Sequence, residues 1–339
     1  MKKLKRILAI LLVLALLCAG CGSKTDEPSP DASEQTPLTR TVSGCRALLG
    51  NKGSCLSDTE ALPAGSSVSD WLALALRLSG ADDAYEDYLS ALRDSVTARC
   101  AESGALDARK ATEYHRTALT VLALGGDPTQ FGVKPDGTPV DLIADGVYAF
   151  AGDLSAQGLN APIFALLTLD AGAFSVPDGA NYDRGTLVST ILAQQEESGG
   201  FGLIPGGTDV DITAMAICAL APYPQAEAAV ARALTYLETE MTDSCGFLSY
   251  GTESAESTCQ VIIALCALGI DPRSDARFTR GESNLLTGLE RYRQADGSFS
   301  HALDDEEGNL MATEQALLAL AAMERLAQGR RLYDFTAQE

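Results

Sequence analysis

The stretch TDVDITAMAICALAPY, residues 208–223, opens on carboxylates and hydroxyls and then runs through Ala, Met, Ile, Cys and Leu without a polar break until Pro222. A run with no solvated face belongs to a helix covered on most sides. Segments of the same kind recur along the chain: WLALALRLSG (71–80), TALTVLALGGDP (117–128), APIFALLTLDAG (161–172), TCQVIIALCALGIDP (258–272) and TEQALLALAAM (313–323). Their matching leucines, Leu78, Leu124, Leu169, Leu220, Leu268 and Leu320, stand 45 to 52 residues apart. Six copies of one unit are the economical reading.

Between these copies lie segments such as AYEDYLSALRDSVTARCAE (84–102), QAEAAVARALTYLETE (225–240) and ESNLLTGLERYRQ (282–294). They mix apolar and charged positions at helical period, so each should keep one wet face and cover an apolar helix from outside. The connections QQEESGGFG (194–202), DSCGFLSYG (243–251) and RQADGSFS (293–300) each place a phenylalanine just after a glycine turn. Six alternations of inner and outer helix predict an all-α fold, an (α/α)6 toroid of six helical hairpins. An open solenoid is the alternative stacking, but six is a number that closes.

The T-x5-A-L-type inner helices and the Q-x-x-x-G-G-F turn (195–201) resemble the prenyltransferase and squalene-cyclase repeat, in the form found in secreted and surface-anchored proteins of Gram-positive bacteria. The resemblance spans residues 66–328. It implies the toroid and leaves the activity open, because that fold serves cyclases, protein prenyltransferases, corrinoid carriers and complement thioester domains.

Each of those chemistries needs residues that can be looked for. A terpene cyclase of this resemblance carries Asp-x-Asp-Asp-Thr-Ala, and the chain reads Asp209-Val210-Asp211-Ile212-Thr213-Ala214. The middle acid is kept as Asp211, but Ile212 replaces the third carboxylate. Alkene protonation needs an acid strengthened by coupled groups, and carbocations need aromatic walls. With one tryptophan and 6% aromatic residues the chain is poorly equipped for either. Asp209 and Asp211 are both ligand-cavity candidates, Asp209 reading most simply as a helix cap and Asp211 as the best single candidate for a catalytic or ligand-contacting acid. Asp243-Ser244-Cys245 has the letters of a prenyltransferase zinc pair without an evident third ligand, so no metal and no cofactor are expected. The Cys-Gly-Glu-Gln of a thioester is missing at Thr258-Cys259-Gln260. A glycosidase would need two carboxylates at a set distance, and Asp141, Asp145, Asp209, Asp211 and Glu314 are candidates that sequence cannot place. His115 and Arg116, at the start of the second inner helix, are further ligand-cavity candidates, with hydrogen-bonded structural roles as the simpler explanation. Arg116 could pair with Glu113 or Asp127.

The N-terminus, MKKLKRILAILLVLALLCAGCGSK, has a basic start, an apolar run too short to span a bilayer and a small-residue end. Residues 1–20 read as a lipoprotein signal peptide with acylation at Cys21, although Cys18 stands where such signals usually have leucine. Residues 21–40 are polar and read as a disordered tether. Residues 41–65 form a polar segment in which Cys45 and Cys55 could close a disulfide loop, and 66–339 form the toroid. A net charge of −21 argues against nucleic acid, and contact with a membrane is expected only through the lipid anchor, on the extracytoplasmic face. The expectation is a surface lipoprotein that binds an unknown small molecule, such as a corrinoid, or a cell-surface protein or glycan. The alternative is a degenerate or divergent enzyme of the cavity, acting on an isoprenoid or glycan.

Overall fold

The computed structural model of the chain describes residues 35–50, 53–249 and 251–336. The expected signal peptide, the expected lipidation at Cys21 and most of the expected tether lie outside the described residues. The compact unit begins at Pro37.

Inner helices alternate with outer ones. The inner set is α2 (Ser67–Leu78), α4 (Ala111–Ala123), α5 (Asn160–Ala171), α7 (Val210–Leu220), α9 (Ala255–Ala267) and α11 (Leu310–Ala327). Each packs on the next, and α11 packs back on α2, so the ring is closed. The outer set is α1 (Pro37–Leu48) on α11, α3 (Tyr85–Ser103) on α2, α6 (Arg184–Leu192) on α5, α8 (Glu227–Glu240) on α7 and α10 (Leu285–Glu290) on α9. A single π-helical turn, Ala144–Tyr148, stands outside α4 where a full outer helix was expected. The fold is all-α, an (α/α)6 toroid. Closure follows from the pattern: helices apolar all round must be covered on every side, and a ring of six leaves no inner helix at an edge.

One local device recurs at three inner helices. In the turn before α7, Phe201 is fully buried and bridges to Asp209, the N-cap of the helix. Thr213, four residues on, accepts a hydrogen bond from the Phe201 N–H at 2.9 Å and donates to the Asp209 carbonyl at 2.6 Å. Before α11 the same parts are Phe299, Asn309 and Thr313, with the Thr313 hydroxyl 2.9 Å from the Phe299 N–H. Before α9 they are Phe247, paired with Ser254 across a short hairpin, and Thr258, whose hydroxyl donates to the Ser254 carbonyl. The glycine of each turn supplies a left-handed residue, at Gly199 and Gly297, with Cys245 (φ 59°) taking the equivalent place. An L-residue there costs about 1–2 kcal/mol relative to glycine.

The N-terminal boundary differs from expectation. Residues 37–40 are helical and not tether, and α1 supplies the outer helix of the last hairpin. Its few apolar groups are well placed: Val42 and Cys45 are buried, and Gly44 lies so close to the 297–298 turn that a Cβ there would meet the Ser298 nitrogen at 2.2 Å. Arg293 ties the seam by donating to the Thr41 hydroxyl at 3.0 Å. The expected Cys45–Cys55 bridge is not formed. Both are buried free thiols near enough to interact electrostatically, and burial pushes the Cys45 thiol well up, with Cys55 and Glu314 adding to the rise. Among the described residues no helix is long and apolar enough to cross a membrane.

Candidate functional site

The inner helices α5 and α7 leave a cleft of about 550 Å³ at their N-terminal ends. Asn160 and Phe164 line it from α5, Asp211, Ile212 and Met215 from α7, and Tyr236 and Glu240 from α8. Its rim is closed by Leu203 and Leu248, both exposed, from the turns that lead into α7 and α9. Behind it, Trp71 of α2 meets Phe164 with ring centroids 5.7 Å apart, joining two inner helices that are not neighbours in the ring. The lining is mixed, apolar at Phe164, Ile212, Met215, Leu203 and Leu248 and acidic at Asp209, Asp211 and Glu240. Among the described residues no Lys, Arg or His lines the cleft.

The two acids singled out from sequence have different duties. Asp209 caps α7, accepting from the Ile212 N–H at 2.8 Å, the same task as Ser254 and Asn309 in the other copies. Burial raises its carboxyl above the usual range, and hydrogen bonds from the backbone of Ile212, Asp211 and Leu203 oppose the rise. Asp211 caps nothing. Its Oδ1 is buried without a hydrogen-bond partner among the described groups, and so is Oδ1 of Asn160. Burial pushes the Asp211 carboxyl up, the negative charges of Asp209 and Glu256 push it further, and a hydrogen bond from Ser257 resists. The arrangement favours a carboxyl that holds its proton longer than a surface aspartate does.

Glu256 occupies on α9 the position that Asp211 occupies on α7, two residues after the cap. It pairs with His301 at 2.9 Å. Glu314 on α11 is buried and lifted well above the usual carboxylate range, by burial first and then by Glu256. Sequence reading passed over Asn160, Glu256 and Ser257. For Glu256 the signal was its offset from the cap, the same as that of Asp211, which becomes visible once the Phe, cap and Thr triplets are aligned; Asn160 and Ser257 carry no such signal.

His115 and Arg116 do not reach this cleft. His115 is fully buried, with Nε2 2.8 Å from the Gly146 carbonyl, and burial pulls its pKa down to about 4. Arg116 is clamped between Asp70 at 2.9 Å and Glu113 at 3.0 Å and also donates to the Gly65 carbonyl. Asp70 in turn accepts from Tyr88 at 2.7 Å. This is a buried strut between α2, α3 and α4, not a ligand surface. The remaining acids are dispersed as well: Asp141 accepts from the N–H groups of Ile143 and Ala144, at the start of the π turn, and Asp145 pairs with Lys134 at 2.8 Å. Among the described residues no three His, Cys, Asp or Glu side chains gather closely enough to hold a metal ion.

No protein-family model matches the chain and no curated protein matches it. Among solved structures, the chain is similar to ent-copalyl diphosphate synthase from Streptomyces platensis, at 17% identity and a TM-score of 0.48. The match covers 76% of this chain and 50% of that protein, so the chain spans half the length of this relative.

Proposed function

We propose that the protein is a bacterial surface lipoprotein, of the kind displayed by Gram-positive cells, that holds its toroid outside the cytoplasmic membrane and binds a small amphipathic ligand in the cleft between α5 and α7. The observation that carries this reading is the cleft itself, about 550 Å³, in which Asn160 and Asp211 stand beside Phe164, Ile212 and Met215. A concave site lined largely by apolar side chains with a few polar groups among them is the usual form of a small-molecule site. The volume suits a small molecule and is too small for a folded partner. A thermal-shift screen of the full chain against corrinoids, polyprenyl compounds and cell-wall glycans tests it. A ligand present at about one hundred times its dissociation constant adds about 2.7 kcal/mol, which moves the midpoint by several degrees. No shift from any class would sink the small-molecule reading and turn attention to protein partners.

One observation favours a second reading. The raised Asp211 carboxyl is the property of a general acid, and an enzyme of the cavity acting on an isoprenoid would use it to deliver a proton. Under that reading Asp211→Asn abolishes turnover while the substrate still binds.

A further inference from the structure

Among the described residues, Val133 is the one exposed large apolar side chain on the outer wall, beside α3, where its N–H donates to Thr97. The others, Val68, Leu203, Ile204, Leu248, Leu303 and Met311, all lie where the chain enters an inner helix. Leu203 with Ile204, Leu248 and Leu303 occupy the same interval in three copies, between the buried phenylalanine of the turn and the cap of the helix that follows. Val68 and Met311 are the second residues of α2 and α11, and Ile204 and Met311 are 66% and 52% exposed. These intervals abut: Leu203 and Leu248 line one cleft, and the Ala255 N–H at the head of α9 donates to the His301 carbonyl, two residues from Leu303, at 3.0 Å. Single exposed apolar residues are ordinary, but a repeated device that sets them along one rim marks a contact surface.

We infer that this rim, along the arc from α7 through α9 to α11, docks a cationic amphipathic segment of another protein, one that sets Lys or Arg beside Leu-like side chains. The apolar positions call for a partner, and charge decides which. Beside them stand the exposed carboxylates Glu240, Asp304, Asp305, Glu306 and Glu307. Arg291 and His301, on the same arc, are already held by Glu253 at 3.7 Å and Glu256 at 2.9 Å. The exposed Arg109 and Lys110 precede α4, across the ring from α9. A second copy would set this acidic arc against another chain of net charge −21, and an anionic lipid surface would repel it in the same way.

The test uses three short helical peptides: one of leucine and lysine with an apolar face, its counterpart with glutamate in place of lysine, and one with serine in place of leucine. Each carries a fluorophore and is titrated with the full chain in nonionic detergent at physiological salt, with empty micelles subtracted. The leucine–lysine peptide should bind at least about tenfold tighter than either of the others. Ile204→Ser combined with Met311→Ser should weaken it about tenfold, while Val133→Ser, away from the rim, should change nothing. Asp304→Asn with Glu306→Gln should weaken it about threefold and flatten its salt dependence. Neither Ile204 nor Met311 lines the cleft, so a small ligand of that site should bind the double serine variant as before, and the two readings fail separately. Equal binding of the serine peptide assigns the attraction to net charge, and equal binding of the glutamate peptide removes the charge argument; either overturns the inference. So does an equal loss in Val133→Ser, or binding of none of the three. A dimer in sedimentation that the double serine variant abolishes hands the rim to a second copy, and attachment to neutral phosphatidylcholine vesicles that it weakens hands the rim to a lipid surface, each overturning the peptide assignment.

Discussion

The Thr213 hydroxyl sits 2.9 Å from the Phe201 N–H, and the Thr313 hydroxyl sits at the same distance from the Phe299 N–H. One side chain thereby locks a turn to the helix that follows it, in two different repeats. Thr213→Val keeps the shape and removes the acceptor, leaving a buried N–H unpaired. The expected cost is about 1–3 kcal/mol, read as a lower urea midpoint, and Thr213→Ser should recover most of it. A valine variant with wild-type stability would show that the hydroxyl is dispensable.

At the seam, Gly44 has no room for a methyl group, because the obstacle is the backbone nitrogen of Ser298 and not a flexible side chain. Gly44→Ala should destabilise by about 1–3 kcal/mol, the range for overpacking. Hydrogen exchange should locate the damage, with α1 losing protection first and the α5 to α9 part of the ring keeping it.

Asp209 and Asp211 should separate cleanly. Asp209→Ala removes a cap and should cost about 1 kcal/mol, whereas Asp209→Asn should be close to neutral, since Asn309 performs that task on α11. For Asp211 the folded carboxyl has a raised pKa, so the folded state binds more protons than the unfolded one between the two values. That contribution favours the folded state below the ordinary aspartate pKa and is lost as pH rises through the folded value. Asp211→Asn should therefore stabilise the protein at neutral pH, with the gain shrinking as pH falls toward 4. Melting curves of both proteins across that range provide the comparison, and a gain independent of pH would contradict the assignment.

Arg116 is held by Asp70 and Glu113 in a strut with little access to water. Arg116→Met leaves Asp70 buried with its charge uncompensated, and about 3–5 kcal/mol should be lost. Because the strut lies away from the cleft, ligand affinity measured below the melting transition should not change.

The ring was legible in sequence because the inner helices carry their evidence in composition: a helix without a polar face has to be surrounded. The phenylalanine turns were legible for a similar reason, as glycine and a large apolar residue together mark a sharp turn that packs inward. What was hidden is instructive. In α1, PLTRTVSGCRAL shows only a few apolar residues, and its close fit against the 297–298 turn depends on Gly44 being small, which hydropathy does not register. His115 drew attention because it stands in the leading turn of an inner helix, yet on α4 it meets the Gly146 carbonyl and does not line the cleft. Asp211 was legible through its neighbours in a motif, while Asn160, equally part of the cleft, has no motif around it and is found only when α5 is laid beside α7.

The last hairpin is shared between the two ends of the folded unit, with α1 supplying its outer helix and α11 its inner one. This makes completion of the ring an all-or-nothing event in biosynthesis. A chain emerging from a ribosome can stack its first hairpins, but the helix that α1 covers arrives only about 260 residues later. Contacts of such sequence separation are slow to form, and the exposed flank of the unfinished arc is apolar. The last element to be made is therefore the one that lets the first find its place.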